Sequence, residues 1–399
     1  MRPVEEHAAT VAALLPATGT ETVPLAAARG RVLAVDLSSP VSLPPFDNSA
    51  MDGYAVRAAD LATMPVTLPV PEDVPAGRVD GPPLAPGTAH RIMTGAPVPE
   101  GADAVVQVEW TDGGLPGATV TVERPVEAGQ SVRTAGDDVT AGQVVLTAGT
   151  VLGAAQIGLA AAVGAPELTV HRRPRVLVLS TGSELVAPGE PLRHGQIHES
   201  NGPMLAAAVE DAGGEARLLR FVPDDVDEFL TTLDAALAEP TDLVITSGGV
   251  SAGAYEVVKD AFTTRGIAFT KVAMQPGMPQ GAGRYEDRVA VVTLPGNPVS
   301  SLVSFEVFVR PALRRAAGHP HPDRARVRAR VAENLRSPAG RRQFRRGRLD
   351  AVDGTVAPVG GAGSHLLAAL AQADCLLVVP AGTTEVAAGT EVEVWLLEG

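Results

Sequence analysis

Leu243-Val-Ile-Thr-Ser-Gly-Gly-Val-Ser-Ala-Gly253 is the stretch that decides the fold of the centre of this chain. Asp242–Thr246 is a short, nearly continuous apolar run, the pattern of a strand buried on both faces. Ser247-Gly-Gly249 then turns the chain, and Tyr255–Arg265 reads as a helix ended by Gly266. The same sequence of strand, polar turn and helix recurs on both sides. Arg175–Ser180 is a buried-type strand that runs out into Ser180-Thr-Gly-Ser-Glu-Leu185. Asn201–Ala212 reads as a helix stopped by Gly213-Gly214, Ala216–Val222 as a strand, and Val226–Ala238 as a helix that Asp224 or Asp225 can cap. Ile267–Val272 and Arg288–Thr293 are further strands. Leu294-Pro-Gly-Asn-Pro-Val-Ser-Ser301 enters a helix over Pro298–Leu313, with Pro298 near its first position. Strands alternating with helices of these lengths predict a parallel, doubly wound α/β sheet, whose ligands bind at the carboxyl ends of the strands.

The flanks have other textures. Residues 5–35 read as a helix followed by a short strand, and residues 151–165 as an Ala-rich helix. Between Pro40 and about Thr147, short apolar runs alternate with Pro/Gly turns, which reads as β. Residues 325–350 alternate basic and apolar, and short strands continue to Cys375–Val379 and Glu391–Leu397, the pattern of a small β-barrel or sandwich. The fold expected is multidomain α/β plus β. An elongated mixed N-terminal domain takes residues 1–45 and 148–173, and an inserted β domain takes 46–147. The central α/β domain takes 174–318, and a C-terminal β-barrel-like domain takes 319–399.

Composition narrows the function. The chain has 399 residues, of which 42 are Gly and 34 Pro, and a net charge of −14. That charge repels long polyanions, so nucleic acid is not an expected partner. A single cysteine, Cys375, excludes an intramolecular disulfide and a Cys-based zinc cluster. The start of the sequence lacks a signal peptide's apolar segment, and no apolar run approaches the length of a membrane span, so a cytoplasmic protein without membrane association is expected. Only Lys259 and Lys271 of the 32 basic residues are lysine. Between Arg310 and Asp350 stand 13 arginines against three acids. With Phe344 the one aromatic among them, a solvated face, a subunit contact or a small-anion site is favoured over RNA binding.

Three polar, glycine-bearing turns converge on one sheet edge: Ser180, Thr181 and Gly182; Thr246, Ser247, Gly248, Gly249 and Ser251; and Pro295, Gly296, Asn297 and Pro298. Glycines let a backbone approach a ligand closely, and N–H groups at a helix start favour anions, so an anion-binding cleft is expected there. Glu184, Asp224 and Glu256 lie at the same edge. Such carboxylates cap helices, or together hold Mg²⁺, a hard cation that takes oxygen ligands. Lys271, at the end of its strand, is a candidate ligand contact.

These blocks, with Phe46-Asp-Asn-Ser-Ala-Met-Asp-Gly-Tyr-Ala-Val56, Arg91–Pro99, Gly340–Gly347 and Gly363-Ser-His365, resemble in residues and order the molybdopterin molybdenumtransferases, whose relatives include the gephyrin E domain. The resemblance covers essentially the whole chain. It implies a molybdopterin-binding central domain and a homodimer. It also implies the last step of molybdenum cofactor synthesis: adenylyl-molybdopterin and molybdate are the substrates, Mg²⁺ is required and AMP is released. Molybdopterin adenylyltransferase and molybdoenzyme apoproteins are implied as partners. Carried over by position, Asp52, Thr94, Asp138, Glu184, Asp224 and Lys271 match functionally important polar residues. Asp224 and Glu256 match the metal site, and Ser300, Arg341 and Ser364 the molybdate pocket. Three positions depart from the family's pattern. Glu256 stands for an Asp, and Gln275 and Met278 stand where lysines are common. The alternatives are a non-catalytic molybdopterin carrier and a tungstate-inserting enzyme.

Overall fold

The strand Leu243–Ser247 lies in the middle of a six-stranded sheet ordered Glu215–Val222, Arg175–Thr181, Leu243–Ser247, Val289–Leu294, Pro279–Tyr285, Ile267–Lys271. The first four run parallel. Alternate residues of each strand feed opposite faces. Val176, Val178, Leu243, Ile245 and Val292 pack with helix Asn201–Asp211, helix Val4–Leu14 and the helical stretch from Pro298 to Ala316. Leu177, Leu179, Val244 and Val291 pack on the other side with Phe229, Leu233 and Phe262. The central fold is thus the doubly wound α/β layering expected. Asp225 caps its helix, accepting the N–H groups of Asp227 and Glu228 at 3.0 Å each.

The computed structural model describes residues 1–78, 80–222, 225–248 and 257–397. They fall into two compact units. One holds Met1–Glu21, Gly30–Ala34 and Thr169–Gly399, and the other Thr22–Arg29 and Val35–Leu168. In the first unit the C-terminal strands Arg342–Asp350, Thr355–Pro358, Arg326–Val331, Glu391–Leu396 and Cys375–Val379 pair in that order. Cys375–Val379 also pairs back onto Arg342–Asp350, closing a barrel. Cys375 is fully buried in its core. In the second unit, Glu72–Val74, His90–Ile92, Gly53–Val56 and Ala104–Gln107 form a four-stranded sheet over a core of Tyr54, Val56, Val106 and Val120.

Two details differ from the sequence reading. Pro279–Tyr285 is a strand that periodicity does not predict, and it runs antiparallel to both neighbours, so the sheet is mixed at that edge. Its glycines are the cause. A Cβ on Gly281 would collide with the Thr293 hydroxyl, and one on Gly283 with the Gly266 carbonyl, so the strand lacks the β-branched signature. The helix from Pro298 also runs beyond Leu313 to Ala316, passing Pro311 through a π-helical turn over Phe305–Val309. There Glu306, 5% exposed, pairs with Arg324 at 2.8 Å and Arg310 at 3.8 Å.

His7, in helix Val4–Leu14, is fully buried edge-on to Phe308, and neither ring nitrogen has a partner. Burial, helped by the charge of Arg2, pushes its pKa down to about 4. The folded state therefore holds the ring neutral while the unfolded chain protonates it near 6.5. Its contribution is present above that value and lost as the pH falls from 6.5 toward 4, by up to about 3 kcal/mol. His319, also pushed down to about 4 by burial, acts in the same direction. His7→Leu is expected to flatten the fall in melting temperature between pH 6.5 and 4.5. A slope equal to wild type would refute the assignment.

Candidate functional site

Parallel strands deliver their carboxyl ends to one edge, and a cavity of about 1160 Å³ opens there. The first strand contributes residues 180–185, the second Ser247 and Gly248, and the third 295–298 with Ser300. The C-terminal segment 362–365 closes another side. The structure thus brings together Ser180, Thr181, Gly182, Glu184, Ser247, Gly248, Pro295, Gly296, Asn297, Pro298, Ser300 and Ser364. Thr246 lies behind them, fully buried, its hydroxyl without a partner. Gly249, Ser251, Asp224 and Glu256, and with the last two the expected metal pair, lie outside the described residues. Lys271 is at the exposed end of Ile267–Lys271 and does not line the cavity; Arg341 does not line it either.

Close approach explains the glycines here. Gly248 has φ +100°, a Cβ on it would sit 3.3 Å from the Thr181 carbonyl oxygen, and a Cβ on Gly296 would sit 3.4 Å from the Gly248 Cα. The Gly248 N–H donates to the Leu294 carbonyl at 3.1 Å, joining the second turn to the third strand. The C-terminal segment is tied down as well. The Val299 N–H donates to the Ser364 carbonyl at 3.0 Å, and the Asn297 amide donates to the Ser364 hydroxyl at 2.9 Å.

The sequence reading missed three kinds of residue. Glu199 and Asn201, in the cavity wall, precede and open helix Asn201–Asp211, where a carboxylate and an amide beside a helix start read as ordinary caps. Gln275, singled out in the sequence only as a departure from the family pattern and not as a site residue, lines the cavity. Arg346, 4% exposed, donates to the carbonyls of Gly363 at 3.0 Å and Val359 at 3.4 Å and to that of Gly361, so it braces the loop that carries Ser364. Much of the arginine run is spent similarly on structure. Arg342 pairs with Glu5 at 2.5 Å, and Arg326 covers the Trp395 ring at 4.8 Å.

Among the described residues lining the cavity none is Lys or Arg. The polar wall consists of hydroxyls, amides, the imidazoles of His198 and His365, and the carboxylates of Glu184 and Glu199. In the other unit Asp52 directly precedes strand Gly53–Val56, and Thr94 follows its neighbour His90–Ile92. The Asp52 carboxylate accepts the Thr94 N–H at 2.7 Å and its hydroxyl at 2.8 Å. Those two hydrogen bonds hold its pKa below the usual carboxylate range. Asp138 is exposed in the same unit, its N–H donating to the Leu43 carbonyl at 2.9 Å.

Comparison with known proteins matches three regions: "MoeA N-terminal region (domain I and II)" over residues 2–164, "Probable molybdopterin binding domain" over 177–315, and "MoeA C-terminal region (domain IV)" over 328–397. Molybdopterin molybdenumtransferase 2 of Mycobacterium tuberculosis is 55% identical over 99% of both chains, and molybdopterin molybdenumtransferase 1 of that organism 40% identical over 100% of this chain and 99% of its own. The crystal structure of a molybdopterin biosynthesis MoeA protein from Pyrococcus horikoshii superimposes with a TM-score of 0.83 at 33% identity, covering 100% of this chain and 99% of that one. The class is therefore the multidomain proteins of molybdenum cofactor biosynthesis. Within it, the chain belongs to the molybdopterin molybdenumtransferase family and is an enzyme.

Two substitutions check this geometry, and a third, away from the site, serves as a control. Arg346→Ala leaves the carbonyls of the 359–363 loop without their charged donor and is expected to cost about 1–3 kcal/mol in denaturant unfolding. Hydrogen exchange rising selectively in 359–366 would accompany it, and unchanged exchange there would refute the bracing role. Gly248→Ala forces a side chain into a left-handed conformation and is expected to cost about 1–3 kcal/mol. Gly158→Ala, in helix Ala154–Ala162 with open space around it, should instead gain about 0.5–1 kcal/mol.

Proposed function

We propose that this enzyme inserts molybdate into adenylyl-molybdopterin with release of AMP, in the Mg²⁺-dependent final step of molybdenum cofactor synthesis. The observation that carries the reading is the cavity at the three strand ends, with hydroxyl and amide walls and no cationic side chain among its described lining residues. A phosphate-bearing ligand entering such a wall, beside Glu184, requires a counter-charge. A hard divalent cation held by oxygen donors supplies it, and Glu184 offers such a donor. Asp224 and Glu256 are the further ligands expected from the sequence. When bound, Mg²⁺ would polarise the phosphoanhydride and offset charge on the departing AMP.

The chain's own residues position the reactants. The Gly248 turn and the hydroxyl of Ser247 receive the terminal phosphate of molybdopterin, with Ser180 in the adjoining wall. Ser300 and Ser364, both in the cavity wall, orient the molybdate; Arg341 belongs to this proposal by family position alone. A molybdate oxygen attacks the adenylyl phosphorus and the P–O bond to the molybdopterin phosphate breaks. The Mo–O bond to that oxygen then breaks, so that it leaves on AMP, while a second molybdate oxygen leaves as water with the two dithiolene protons as the two Mo–S bonds form. Asp52, Thr94, Asp138 and Lys271 are assigned supporting roles by family position. A homodimer acting with the adenylyltransferase that supplies its substrate and the apoproteins that take its product completes the proposal.

The test is purified protein with adenylyl-molybdopterin, Mg²⁺ and a molybdate titration. Molybdate-dependent AMP release that forms active cofactor and disappears with chelator is expected. Tight ligand binding with no AMP at any molybdate concentration would replace the reading with a carrier role. AMP release driven by tungstate but not molybdate would change the oxyanion.

A further inference from the structure

Glu199-Ser200-Asn201 touches all three turns of the cavity at once. The Glu199 carboxylate, 2% exposed, accepts the Ser180 hydroxyl at 3.0 Å and the Gly202 N–H at 2.6 Å, both on Oε1. Its own N–H donates to the Val186 carbonyl at 2.9 Å, fixing it behind the first turn. Two residues on, the Asn201 side-chain amide donates to the Ser247 hydroxyl at 2.8 Å and to the Gly296 carbonyl at 2.6 Å. The segment therefore binds the first turn through Glu199, and the second and third through Asn201. Gly202 is the space that makes this possible: a Cβ there would lie 2.9 Å from both Glu199 Oε2 and the Ser180 hydroxyl oxygen. A carboxylate taken out of water is held only where its hydrogen bonds repay desolvation, and here one oxygen takes two donors while Oε2 has none. Such an arrangement is costly for stability alone, and what it secures is the placement of Ser180.

We propose that Glu199 and Asn201 are positioning residues that lock the three strand-end turns into the geometry that receives the ligand. Glu199 orients the Ser180 hydroxyl, and Asn201 holds the Ser247 and Gly296 turns at a fixed separation. The proposal rests on the molybdopterin reading of the same cavity, deepening it by assigning its pre-organisation. It also assigns the direction of the Ser180 hydroxyl. Its proton is committed to Glu199, so its lone pairs are left as acceptors, while Ser247, whose oxygen accepts a hydrogen bond from the Asn201 amide, keeps its own O–H to donate to an anion.

A double-mutant cycle read in the dissociation constant for adenylyl-molybdopterin tests this. Glu199→Ala and Ser180→Ala are each expected to weaken binding about tenfold. Combined, they should fall well short of a hundredfold, because one acts through the other. Glu199→Gln, which keeps an acceptor oxygen, should restore most of the affinity. Independent effects that multiply, or wild-type affinity in a folded Glu199→Ala variant, would overturn the proposal. A second arm needs no ligand. Asn201→Asp removes the donor to both turns and is expected to raise amide exchange at Gly248 about tenfold while leaving Ile245 unchanged. Equal protection at Gly248 would refute the clasp. If wild-type protein fails to bind adenylyl-molybdopterin, the functional reading fails, and the exchange arm decides the clasp by itself.

Discussion

Four parallel strands end at one edge of the central sheet, and every N–H and C=O that leaves the ladder there has to find a new partner. That obligation organises the site. The turns leaving Arg175–Thr181, Leu243–Ser247 and Val289–Leu294 lie close enough for a Cβ on Gly296 to sit 3.4 Å from the Gly248 Cα. Backbone packed so tightly leaves no room for large side chains to satisfy it. Partners come instead from neighbouring backbone, as in the Gly248 N–H to Leu294 bond, and from the Asn201 amide at the start of the next helix, which donates to the Gly296 carbonyl. The polar, side-chain-poor rim that results is also what suits a ligand recognised through backbone and hydroxyls.

Most of this was legible in the sequence because buried parallel strands leave a plain trace. Arg175–Ser180 and Asp242–Thr246 enclose the apolar runs 176–179 and 243–245, and the structure buries Leu177, Val178, Val244 and Ile245 to 1% exposure or less. The strand Pro279–Tyr285 was not legible, since its geometry is set by what it approaches rather than by its own propensity. Gly281 and Gly283 read as a loop until Thr293 and the Gly266 carbonyl are seen against them. The same limit applies to the site. Ser180, Ser247 and Asn297 announce themselves beside glycines and prolines at strand ends. Glu199 and Asn201 sit in a helix-start pattern common to any protein, and only the spatial meeting of residues 19 to 95 positions apart distinguishes them.

Charge gave the least reliable guidance, because net charge and local charge are separate quantities. The 13 arginines between Arg310 and Asp350 suggest an anion surface when counted. Several of them work on the fold: Arg310 and Arg324 flank buried Glu306, Arg342 holds Glu5, and Arg346 braces the 359–363 loop. Guanidinium suits these tasks, because its fixed fork satisfies several carbonyls or both oxygens of a carboxylate at once, which an ammonium group does not. A chain with arginine in 30 of its 32 basic positions can therefore be rich in cations and still place none among the described residues that line this cavity.

That absence links the two halves of the functional reading. With Lys271 at an exposed strand end and Gln275 in the wall, the described lining residues provide no permanent positive charge. Glu184 and Glu199 add negative charge to the same wall. A doubly charged oxyanion brought there alone would meet repulsion that hydroxyl and amide donors offset only in part. In the proposed reading the ligand arrives with its own counter-ion, and binding of the divalent cation and of the phosphate-bearing substrate is mutually dependent. Each raises the affinity for the other by the same factor, as linkage requires. On that proposal the oxyanion's affinity is tied to the divalent cation, and the tie follows from which described side chains face the cavity.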